Sequence, residues 1–228
     1  DTDYAAVSAA LHAREAKLLT QAMAERMIDA ATPEESYKTL LECGYAPLER
    51  CTLENVEHAL SKARRELYRE VSVLAPDKRI IELFQIKYDY HNAKLALKSK
   101  RSGEDVSRLA MDCGRFDAQK VLRGETSAVS AAMSRAMAQA ESEAGHSGDV
   151  RMAELLLDRA CYEEMSALAS ETGSTFLKDY VALQIDAVNL RTLVRARRMG
   201  CEDDVLAAAM LPGGPVSYTH LTLPTTSR

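Results

Sequence analysis

Two Asp–Asn pairs carry the most specific polar pattern in the sequence. Asp89 and Asn92, and again Asp186 and Asn189, stand at i and i+3 and so share one face of a helix. Basic residues follow each pair: Lys94, Lys98, Lys100 and Arg101 in the first copy, Arg191, Arg195, Arg197 and Arg198 in the second. A glycine closes each copy, Gly103 and Gly200, and every matched position repeats at an offset of 97. A carboxylate beside a carboxamide can bind a ligand or move a proton. Buried, the same pair costs free energy unless each group is hydrogen-bonded. The pairs are therefore expected to bond neighbouring helices and fix their register, with a ligand or catalytic role as the alternative. The basic residues suit the negative end of a helix dipole, and the glycines suit left-handed caps. The basic ends also offer a docking surface for an acidic partner.

Other chemistry finds little support in the residue types. His12 with Glu15 and Glu54 with His58 have helical spacing. A di-iron bundle, however, needs Glu-x-x-His twice plus further inward carboxylates, and that pattern is absent, so no metal is expected. There is no G-x-S-x-G, no Cys/His signature and no glycine-rich phosphate loop. No catalytic residue and no cofactor are expected. The five cysteines (Cys43, Cys51, Cys113, Cys161 and Cys201) are scattered without a C-x-x-C pair and read as free thiols. Met133 and Met137 read as adaptable core.

The elements that position these residues are expected to be helices throughout. Of 228 residues 46% are hydrophobic but only 5% aromatic, with ten Gly and six Pro, too few turn and β-type residues for a sandwich or barrel. The net charge of −5 argues against nucleic acid as a partner. No apolar run approaches a membrane span, and no secretory signal is visible. The apolar spacing predicts one long helix over 1–31. Thr32, Pro33 and Glu35 then form a capping signature for a helix to Glu42 that ends at Gly44. Further helices are predicted from Thr52 to Leu74, from about Lys78 to Ser102, over 104–113 up to Gly114, over 115–122, 126–143, 149–169, 174–199 and 202–211. Gly145 to Gly148 reads as a flexible turn.

The stretch Pro215 to Arg228 changes character: it has no acidic residue, and it is rich in Thr. Pro215 to Thr225 matches one translated frame of a common sequencing-library transposase adapter. That stretch is expected to be foreign to the protein, with the natural chain continuing differently beyond Gly214.

The duplication implies two helical units, 1–103 and 104–200, with 201–214 beginning a third. Three passages carry a resemblance to a known family. They are Tyr4–Leu19 (YAAVSAALHAREAKLL), Lys87–Lys98 (KYDYHNAKLALK), and Asp158–Tyr162 (DRACY) followed by Phe176–Tyr180 (FLKDY) and Gln184–Arg191 (QIDAVNLR). In these the chain resembles the C subunit of bacterial and archaeal V/A-type ATPases, the counterpart of the d subunit in the eukaryotic vacuolar enzyme. Ala93 departs from the usual leucine after the Asn. The resemblance implies an all-α, funnel-like fold of three pseudo-repeated helical units, the third largely missing here. It also implies a non-catalytic role: sitting on the membrane rotor ring, receiving the foot of the central stalk, and coupling rotation to proton or sodium movement. The subunit would be peripheral, on the cytoplasmic side, with central-stalk subunits and the rotor ring as partners. A helical-repeat scaffold or adaptor is the alternative, and a helical-bundle metalloenzyme a third.

Overall fold

A computed structural model describes residues 4–148, 150–200 and 203–216. Every regular element among them is helical, so the protein is all-α as its composition predicts. The chain divides into two compact units, Asp1–Ile81 and Glu82–Arg228.

The first unit holds α1 (Ala5–Glu15), α2 (Gln21–Ile28), α3 (Pro33–Glu42) and α4 (Leu53–Leu74). The single helix expected over 1–31 is broken at Ala16 to Thr20. Thr20 takes an extended conformation, and its side chain accepts from the Met23 N–H, which starts α2 afresh. Leu18 and Leu19, placed on the apolar stripe by their spacing, are exposed in that break. The predicted cap forms: Thr32 accepts from the Glu35 N–H, and the Glu35 carboxylate reaches back past the cap residue to the Ala31 N–H. The far end of α3 closes on Gly44 at φ +89°, with Tyr45 N donating to Leu40 O and Gly44 N to Leu41 O, the paired bonds of a Schellman cap.

The second unit contains nearly all of α5 (Arg79–Ser102), then α6 (Ala118–Leu122), α7 (Ala131–Ser147), α8 (Val150–Glu171), α9 (Thr175–Arg198) and α10 (Asp203–Ala209). Ser130 caps α7 and Ser174 caps α9, each accepting an N–H three residues on. α7 and α8 form a close hairpin, turning at Gly148. Small residues permit that approach: Ala136, Ala140 and Ala144 on α7, and Ala153 and Ala169 on α8, are all buried. Of the expected turn over 145–148 only Gly148 lies outside a helix, because α7 runs on to Ser147. α5 contributes Leu83, Ile86, Tyr90, Ala93 and Leu97 to the core.

The helix expected over 104–113 does not form. A single 3₁₀ turn at Ser107–Leu109 is followed by irregular chain up to α6. This strap gives its backbone groups to side chains of α5 instead of to itself. The predicted start at Thr126 is likewise only a 3₁₀ turn, and α7 begins after Ser130.

Candidate functional site

The strap and α5 are joined by the first Asp–Asn pair. Asn92 is fully buried and treats Met111 as a strand neighbour would. Its carbonyl oxygen accepts from the Met111 N–H at 2.9 Å, and its amide donates to the Met111 carbonyl at 2.8 Å. One carboxamide thus satisfies both backbone groups of a residue that lies outside regular structure. Asp89, also fully buried, accepts from the backbone N–H of Arg115 at 2.9 Å and of Phe116 at 3.3 Å, and from Arg115 Nε at 2.7 Å. Gln85 adds bonds to the carbonyls of Cys113 and Gly114. His91 Nε2 lies 3.1 Å from the Leu109 carbonyl.

Gly114 explains why the strap can lie so close. A Cβ at this position would stand 2.2 Å from Asp89 Oδ1. Its backbone is not in the left-handed region, so the requirement is one of space alone.

Arg115 carries the clasp onward to the α7–α8 hairpin. Its Nη1 meets Glu164 on α8 at 2.8 Å. Glu164 also accepts from Tyr90 of α5 at 2.8 Å and from Ser130, the cap of α7, at 3.2 Å. Burial pushes the Asp89 carboxyl up, against the pull of the guanidinium and the two N–H groups. All three of those partners are donors, which leaves no acceptor for a carboxyl proton and suits the ionised form. Burial works to lower the Arg115 guanidinium, but its bonds to Glu164 and Asp89 hold it above its ordinary value. Burial and the neighbouring Glu164 push the Tyr90 hydroxyl upward.

The second pair repeats the arrangement on α9. Asn189 accepts from the Leu211 N–H at 2.8 Å and donates to its carbonyl at 2.9 Å. A Cβ on Gly214 would stand 2.1 Å from Asp186 Oδ1. Asp186 accepts from the Val216 N–H at 3.3 Å. Leu211, Gly214 and Val216 follow Met111, Gly114 and Phe116 at an offset of 100, three more than the helices themselves. The Asp–Asn pairs therefore act on the backbone of a returning segment, which corrects the expected bonding to neighbouring helices. An exposed helix surface could not have used them this way, because the strap's irregular backbone is what lacks partners.

Gly103 and Gly200 do end their helices in the left-handed region, at φ +72° and +66°. The first set of basic residues is largely engaged within the unit: Lys94 with Asp158 at 2.7 Å, Lys98 with Glu154 at 2.6 Å, and Lys100 with Glu141 at 2.8 Å. In the second set Arg191 bonds its own helix through the Ala187 carbonyl, and Arg195, Arg197 and Arg198 are exposed. His12 and Glu15 form an exposed pair at 2.8 Å, and Glu54 and His58 lie on the surface of α4. Among the described residues no three His, Cys, Asp or Glu side chains gather to hold a metal ion. Cys113 and Cys161 are buried, Cys43 and Cys51 half-buried, and these four are free thiols. Cys201 and residues 217–228 lie outside the described residues.

Sequence reasoning missed Gly114, Arg115, Glu164 and Gly214. The signal for the glycines was available in the offset of 100, but the three additional residues hide it from a search at constant spacing. Arg115 and Glu164 become partners only through the fold.

No described helix is long and apolar enough to cross a membrane. Compared with known proteins, the chain is 25% identical to the C subunit of the A-type ATP synthase of Desulfurococcus sp. (strain SY), with 96% of this chain and 64% of that protein aligned. It is 25% identical to the C subunit of the V-type ATP synthase of Thermus thermophilus, over 93% of this chain and 68% of the relative. It is 20% identical to the C subunit of the V-type sodium ATPase of Enterococcus hirae, over 85% and 60%. The chain thus spans about two thirds of the length of these relatives. The profile of the ATP synthase (C/AC39) subunit family matches residues 7–223, a span that takes in both clasps and the start of the stretch after Gly214. With nearly its whole length matched, the chain belongs to the ATP synthase (C/AC39) subunit family.

Proposed function

We propose that the protein is a non-catalytic coupling subunit of a V/A-type rotary ATPase, placed between the central stalk and the membrane rotor ring on the cytoplasmic side. In this role it passes torque between ATP turnover in the headpiece and proton or sodium movement through the membrane sector. The observation that carries the reading is the family match along residues 7–223. The build of the second unit supports it. Torque needs a body that does not give, and the clasps tie irregular chain to helices by buried hydrogen bonds and an ion pair instead of leaving it to flex.

The repeat supports a third helical unit as the next neighbour of α9. On α5, Ile86, Ala93 and Leu97 are buried. Their counterparts on α9, Leu183, Leu190 and Val194, are exposed. Lys94 and Lys98 pair with α8, whereas of their counterparts Arg191 turns back on its own helix and Arg195 lies exposed. The outer face of α9 is thus laid out to receive an acidic helical hairpin like α7–α8. The units 1–103 and 104–200, with 201–214 leading into a third, follow the same reading, and Pro215–Arg228 is the foreign stretch.

Co-purification tests the assignment. The full-length subunit, tagged at its chromosomal gene and drawn from detergent-solubilised membranes, is expected to bring down the ATPase headpiece, stalk and rotor-ring subunits together. Recovery of the tagged subunit without them overturns it.

A further inference from the structure

Around the aspartate the two clasps are built from the same parts except at one position. In the first, Asp89 receives two backbone N–H groups and the Nε of Arg115. In the second, the other parts that meet the aspartate and the asparagine are in place. Asn189 grips Leu211 by two bonds, Gly214 leaves room against the carboxylate, and Val216 donates to Asp186 as Phe116 does to Asp89, both at 3.3 Å. The residue at the place of Arg115 is Pro215, which with Val216 belongs to the stretch read above as foreign to the protein. Proline has no backbone N–H and no cation, so both contributions of Arg115 are missing together. Among the described residues Asp186 keeps one long backbone bond. Asp186 is held where a guanidinium would meet it, by the same helix register and the same glycine that serve Asp89.

We infer that Asp186 is a receptor for a guanidinium side chain presented from position 215, and that Pro215 stands where the repeat requires that cation. The ligand class follows from the template. Arg115 bonds Asp89 through its backbone N–H and Nε while its Nη1 continues to Glu164. A planar fork of donors does this, and a single ammonium cannot serve both carboxylates with the same geometry. At the second clasp the free end of such a fork points onward, as Arg115 does, to a carboxylate of the next hairpin. One arginine per clasp would then fasten each unit to its successor.

A mutant cycle on the 228-residue chain tests this. Pro215→Ala restores the N–H alone, and Pro215→Arg restores the N–H and the cation. Pro215→Arg is expected to melt about 2–4 °C above Pro215→Ala. Amide exchange at Val216 should slow severalfold in the arginine variant relative to the alanine variant, which reads the strap without relying on a global melt. In an Asp186→Asn background both differences should vanish. Equal behaviour of the alanine and arginine variants with Asp186 present overturns the inference. A difference that survives Asp186→Asn also overturns it, since the arginine would then act elsewhere. Both outcomes concern the clasp alone and leave the rotor assignment to its own test.

Discussion

Asn92 and Met111, nineteen residues apart in sequence, exchange two hydrogen bonds, so that one buried carboxamide closes both backbone groups of a residue in irregular chain. The same exchange joins Asn189 to Leu211 across twenty-two residues. In each copy the helix supplies a rigid rail, and the returning segment supplies unpaired backbone.

Removing the first exchange is expected to be costly. Asn92→Ala strands the Met111 N–H and carbonyl in a dry site, at about 2–4 kcal/mol, or a fall in Tm of about 5–12 °C. Asn92→Asp keeps the acceptor but sets a carboxylate against the Met111 carbonyl. Its pKa is therefore raised, and the variant regains stability as pH falls and the protonated carboxyl becomes a donor. Thermal melts at pH 7 and pH 5 check both statements. A variant Asp that is equally stable at the two values contradicts the assigned roles.

The two kinds of glycine should respond differently. Gly103→Ala forces a side chain into the left-handed region and is expected to cost about 1 kcal/mol, with open space around the new methyl group. Gly114→Ala drives a methyl group into Asp89 Oδ1 and should cost about 2–4 kcal/mol. Combining Gly114→Ala with Asp89→Ala should make the glycine substitution much milder, because the obstructing carboxylate is gone. Urea unfolding of the four proteins measures this coupling, and strict additivity argues against a steric cause.

Much of the fold was legible because its signals are local. Thr32, Pro33 and Glu35 form a cap that needs only neighbours in sequence, and α4, α5 and α9 fall where the apolar period places them, stopped by Pro76, Gly103 and Gly200. The Asp–Asn pairs were legible as a repeat, but their partners were not. Nothing in Met111 or Leu211 marks either as the target of a side chain nineteen or twenty-two residues away. The strap over 110–117 was expected to be helical on both sides of Gly114, over 104–113 and 115–122, because its residue types allow it. It stays irregular because Asp89, Asn92 and Gln85 offer its backbone an alternative set of partners. The break between α1 and α2 was missed for a simpler reason. Leu18 and Leu19 continue the apolar spacing, while Thr20 caps a new helix.

The two aspartates should rank far apart. Asp89 is buried with three donors, and Asp89→Ala leaves Arg115 with a half-paired buried charge, at about 3–5 kcal/mol. Asp186 is half-buried and has one long bond among the described residues, and Asp186→Ala should cost under about 1 kcal/mol. Guanidinium melts read the difference. Equal losses would contradict this ranking of the two clasps.

Thiol reactivity should follow burial. Burial, with Asp158 next, pushes the Cys161 thiol from 9.0 up to about 12, whereas Cys43 and Cys51 are half-exposed. At pH 8, Cys43 and Cys51 are expected to react with a thiol reagent in the native protein, while Cys161 waits for unfolding. The unfolded thiol ionises first. The stability contributed by this group is therefore complete below pH 9.0 and is lost as pH rises towards 12. Burial raises Tyr162 to about 12 as well, so both groups weaken the fold over the same alkaline range. Mass-resolved labelling together with melts from pH 8 to pH 11 checks the order. Native labelling of Cys161 at the rate of Cys43 would contradict it.

The proposed role is mechanical: this subunit passes rotation on and makes no bond. Its most direct measurement uses the assembled rotary ATPase in sealed vesicles, with the full-length subunit present or deleted, following ATP hydrolysis and ion uptake in the same sample. With the subunit removed, hydrolysis by the headpiece is expected to continue while ATP-driven ion uptake falls to background, and both return when the subunit is added back. Ion uptake that persists at the intact rate without it would contradict a coupling role.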